Sequence, residues 1–107
     1  MAALNKAAFK KTFGARMLRV GSSEKPCFDF WAYVDAVPVE DYAGYDCSEG
    51  IVEFVYRSED GNFEHVLINT REDKDVFMVI VLDVREQSVI GHRLVDMKAE
   101  YGLRDTD

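Results

Sequence analysis

Proline, cysteine and histidine each occur twice and tryptophan once in this chain of 107 residues. Two cysteines, Cys27 and Cys47, are too few for the disulfide framework of a small secreted domain. A single bridge between them is compatible with the count, but a reducing compartment such as the cytoplasm is the expected setting. No apolar run reaches the ~18 residues that a membrane helix requires. The most apolar stretch, VFMVIVLDV at 76–84, is stopped by Asp83, so no membrane association is expected. A secretory hydrophobic region is also missing. The basic, acid-poor start has something of a transit peptide, but Phe9 and Phe13 at i, i+4 suit an ordinary docked helix at least as well.

The scarcity of histidine limits the chemistry. EHVLI around His65 lacks the second histidine of a zinc-protease helix, and His92 has no partner at short spacing. Chaining the hairpin registers points the two rings to opposite sheet faces, so no joint metal site, and no cofactor, is expected. The seven glycines stand singly, which excludes a glycine-rich phosphate loop. Cys47 and Ser48 sit among acids, and negative neighbours lower a thiol's thiolate fraction, so no catalytic residue is assigned. Asp41, Asp46 and Glu49 lack the alternating spacing of a calcium loop.

What the chain does have is apolar residues, at 48%, enough for one core in a single domain spanning 1–107. It also has acid, with a net charge of −7 that is unevenly spread: residues 1–25 hold six Lys or Arg against one acid, and residues 26–107 hold seven against nineteen. Such a split describes either a basic arm for nucleic acid or a basic element lying on its own acidic body. Lys6, Lys10, Lys11, Arg16 and Arg19 supply an electrostatic footprint without interleaved aromatics, so nucleic-acid binding is the third-ranked reading.

Hydrophobic periodicity predicts an α+β fold: an N-terminal helix and a second helix packed on a four-stranded antiparallel meander, with a short C-terminal helix. ALNKAAFKKTF (3–13) forms the first helix, and ARMLRV (15–20) is either its extension or a short strand. CFDFWAYVDAV (27–37) sets Cys27, Phe30, Trp31 and Val34 on one helical face, with Pro38 as the stop, although its aromatics also suit a strand. IVEFVYR (51–57) and FEHVLINT (63–70) flank Asp60-Gly61, the chemistry of a type I′ hairpin. Taking those two as the loop pairs Arg57 with Glu64, Tyr56 with His65, Val55 with Val66 and Phe54 with Leu67. VFMVIVLDV (76–84) and VIGHRLVD (89–96) complete the meander, and Asp96 caps MKAEY. Val76 to Leu82 is apolar at every position, so both faces of that strand need a cover, from the first helix or from a second copy in a homodimer.

Between the regular segments lies PVEDYAGYDCSEG (38–50), which follows neither period. Glu40, Asp41, Asp46 and Glu49 carry charge that steers a basic partner, and Tyr42 and Tyr45 add contact area at low conformational cost. The leading expectation is therefore a non-enzymatic module binding a basic protein, as an inhibitor or immunity-type factor does. The bland alternative is that both tyrosines fold back on the core. A second expectation is a small-molecule binder or small enzyme, with a pocket between sheet and second helix lined by Phe30, Trp31, Phe54, Tyr56 and His65.

Overall fold

The computed structural model describes residues 3–12, 17–19, 30–45, 52–58, 61–70 and 72–101. In chain order these form α1 (Lys6–Thr12), β1 (Met17–Arg19), α2 (Trp31–Ala36), a 3₁₀ helix (Val39–Tyr42), β2 (Val52–Ser58), β3 (Phe63–Asn69), β4 (Val76–Asp83), β5 (Ser88–Asp96) and α3 (Met97–Tyr101). The class is α+β, and β2 to β5 form the expected antiparallel meander. Within ARMLRV, Met17–Arg19 follow the strand alternative: β1 adds a fifth, short strand at the β2 edge, with Leu18 opposite Arg57.

Local chemistry sets the helix limits. Asn5 starts α1 later than the 3–13 reading, because its Oδ1 accepts the Ala8 amide at 2.8 Å as an N-cap. Ala3 and Leu4 instead lie extended beside β5, and the Leu4 amide donates to the His92 carbonyl at 2.8 Å. Helix α2 stops where Pro38 requires it, with Val37 already extended at φ −65°, ψ 127°. At the far end Asp96 caps α3 by accepting the Ala99 amide at 2.9 Å, and Glu100 reaches back to the Asp96 amide at 3.3 Å.

The first hairpin keeps the expected register, with Arg57 opposite Glu64 and Phe54 opposite Leu67. Of the expected Asp60-Gly61 turn, Asp60 lies outside the described residues and Gly61 within them. The Gly61 amide donates to the Ser58 carbonyl at 2.9 Å, and the Phe63 amide to Ser58 Oγ at 3.0 Å. Strand β2 ends at Ser58 and β3 begins at Phe63, and Gly61 takes φ 77°. A left-handed backbone at that point favours glycine.

Strand β4 explains how the layers close. Val76 through Leu82 are all buried, and alternate side chains enter two clusters. Phe77, Val79 and Val81 join Phe9, Tyr56, Leu67, Val95 and Met97 on one face. Met78, Ile80 and Leu82 join Phe30, Val34, Val37, Val66 and Ile68 on the other. Both covers come from the chain itself, so the apolarity of β4 no longer calls for a second copy. Among the described residues no helix is long and apolar enough to cross a membrane.

Candidate functional site

The second face of the sheet is covered by one continuous segment, residues 30–45, and its structure differs from the irregular loop expected from residue 38 onward. After Pro38 the chain winds into the 3₁₀ helix, with the Asp41 amide donating to the Pro38 carbonyl at 3.0 Å. It leaves through Ala43 and Gly44, both left-handed at φ 51° and 86°. Phe30, Val34 and Val37, at i, i+4 and i+7, turn inward into the core. That phase overturns the inward placement of Trp31, which stays 37% exposed and stacks on Phe30 with ring centroids 4.9 Å apart. Cys27 lies outside the described residues.

The cover is held down by a polar tie as well as by hydrocarbon. His92, on β5 opposite Ile80, is buried beneath the segment. Tyr33 Oη lies 2.7 Å from its Nδ1, and Asp41 Oδ2 lies 2.7 Å from its Nε2. A carboxylate accepts hydrogen bonds, so Nε2 is the donor to Asp41, and the Tyr33 hydroxyl, which can donate or accept, pairs with Nδ1. Both ring nitrogens are engaged, and the imidazole satisfies two partners supplied by α2 and the 3₁₀ helix. Acid, imidazole and hydroxyl in sequence can also pass a proton. A bulge in β5 just before His92, where Gly91 pairs with Val81 but Val89 with Leu82, re-aims the strand at this point.

The residues predicted for recognition divide accordingly. Glu40 is exposed. Asp41 turns toward His92 with only 29% of its side chain accessible, and Tyr42 is half-buried against the core cluster. Tyr45 is half-buried, while Asp46 and Glu49 lie outside the described residues. Tyr42 thus follows the inward alternative, and Asp41 is an anchor. What the segment turns outward is Trp31, Asp35, Val39 and Glu40, with Val39 79% exposed. Between Lys25 and Arg57 the sequence contains no Lys or Arg and seven acids, so no cation on the segment offsets this surface.

The five residues proposed to line a pocket do not share a face. Phe30 belongs to the α2 side, whereas Tyr56 and Phe54 pack on the opposite cluster, Phe54 edge-on to Phe77 at 5.9 Å. His65 also faces that side, edge-on to Phe9 at 5.4 Å. Burial in this hydrocarbon holds its pKa down from 6.5 to about 3, so the ring is neutral at physiological pH. The histidine that does lie between sheet and α2 is His92. Its partners stand 59 and 51 residues away in sequence, which no local motif could reveal. Of the basic N-terminal residues, Lys6 is exposed; Arg16 and the side chains of Lys10, Lys11 and Arg19 lie outside the described residues. Among the described residues no three His, Cys, Asp or Glu side chains gather as a metal site.

Comparison with known proteins adds no family: no family model, no curated protein and no solved structure matches the chain.

Proposed function

We propose that this protein is a small, acidic, non-enzymatic binding module that engages a basic surface on another protein, in the manner of an inhibitor or immunity-type factor. The observation that carries this reading is the outward side of residues 30–45. Trp31 and Val39, the exposed large hydrophobics among the described residues, stand there beside Asp35 and Glu40, with no Lys or Arg on the segment. A large aromatic surface supplies contact area, and uncompensated carboxylates steer a cationic partner. The recognition set moves from the 38–50 stretch alone to Trp31, Asp35, Val39 and Glu40, with Asp41 reassigned as support.

The test is comparative affinity capture from lysate of the source cell, washed at rising salt. The immobilised chain retains a basic protein that moderate salt releases, and an Asp35→Asn/Glu40→Gln double variant, with Asp41 left in place, retains it about tenfold less. Equal retention by the variant rejects this surface.

A second reading rests on the Tyr33–His92–Asp41 chain: a small-molecule site or small enzyme between sheet and α2, using these three residues in place of Phe54, Tyr56 and His65. A fragment screen followed on the His92 and Tyr33 ring resonances tests it, and unshifted resonances throughout discard it.

A further inference from the structure

The binding reading leaves open which cation on the partner is recognised, and helix α2 supplies an answer. Trp31 and Asp35 are one helical turn apart, at i and i+4, and both are exposed. Side chains at that spacing are neighbours on one face. The indole is also held in place: it stacks on Phe30 at an interplanar angle of 28°, and Phe30 is itself 3% exposed within the core. The bonds of Tyr33, within α2, and of Asp41, in the 3₁₀ helix, to His92 tie the same segment to β5. A pre-positioned aromatic plane with a carboxylate beside it suits a flat cation. Guanidinium stacks on an indole while its edge N–H groups donate to a carboxylate, whereas an ammonium is a compact, strongly hydrated charge without a plane.

We infer that Trp31 and Asp35 form a receiving site for an arginine side chain of the partner, the guanidinium stacked on the exposed indole and hydrogen-bonded to the carboxylate. The inference rests on the proposed binding function and specifies the chemistry of that surface. Lysine at the same position makes the charge contact but not the stack, so the site discriminates between proteins of equal charge.

Trp31 is the only tryptophan in the chain, so its emission reports the site directly. The probes are capped hexa-arginine and hexalysine peptides, added to the whole protein at low salt. Hexa-arginine changes Trp31 emission and binds about fivefold more tightly than hexalysine. Asp35→Asn removes most of that preference, whereas Glu86→Gln, which deletes an equal charge at the exposed β4–β5 turn, preserves it. Trp31→Leu, followed by calorimetry because the reporter is lost, brings the two peptides to equal affinity. If both peptides bind the native chain equally without moving Trp31 emission, the arginine site is overturned while acidic recognition stands. An Asp35→Asn effect matched by Glu86→Gln overturns it in the same way, since it reduces the effect to net charge. Binding of neither peptide overturns both the site and the function beneath it.

Discussion

His65 and His92 are equally deep in the same sheet and have opposite surroundings. His65 faces Phe9 and hydrocarbon, and burial depresses its pKa to about 3. His92 faces the other way, between the phenol of Tyr33 and the carboxylate of Asp41. On the first face the core is closed by apolar packing around α1 and α3, and a histidine is accommodated there only as a neutral ring. On the second face a histidine helps to fasten the cover. A buried imidazole therefore reports on what its partners are, not on its depth.

Three experiments sharpen this contrast. The largest effect is expected from Phe9→Ala, which empties a fully buried position beside His65. It should cost about 4 kcal/mol in urea unfolding, and the water it admits should bring the His65 pKa back toward 6.5. A cost below about 1 kcal/mol would mean that α1 does not close that face.

Acid titration tests the His65 side of the contrast. A histidine whose pKa is depressed by folding takes a proton more readily when unfolded, so stability falls as pH drops below 6.5, and the loss continues down to about 3. Between pH 7 and pH 5, above most carboxylate titration, His65 alone should account for about 2 kcal/mol. His65→Leu should flatten that slope, read as the urea-unfolding free energy at each pH. A slope that survives His65→Leu assigns it to another group.

The smallest effect is that of Tyr33→Phe, which deletes one hydrogen bond to His92 and should lower stability by about 1 kcal/mol. The His92 Nδ1 resonance should move while that of His65 stays in place. Two stationary resonances would dissolve the tie.

Much of the sheet was legible because its signals are local. The β-rich runs around Asp60-Gly61 were enough to set the Arg57–Glu64 register. Asp96 was readable as a cap from its place before MKAEY, and seven consecutive apolar residues foretold the burial of β4 on both faces. The segment from 27 to 45 was harder. Its aromatics occur so densely that the phase of α2 is ambiguous in sequence, and the core chose Phe30, Val34 and Val37 while Trp31 turned out. Reading 38–50 as uniformly outward failed at Asp41 and Tyr42 for a related reason. A 3₁₀ helix rotates neighbouring side chains to different sides, and the partner that draws Asp41 inward, His92, lies on the fourth strand after it.

Residues 30–45 alternate two kinds of position. Phe30, Tyr33, Val34, Val37 and Asp41 grip the body of the molecule, while Trp31, Asp35, Val39 and Glu40 among them are exposed. Mutational drift can therefore rewrite the outward letters while the gripping ones stay constant. A lineage of such chains could change allegiance from one target to another on an unaltered chassis, and a protein engineer could randomise those four sites as a compact library.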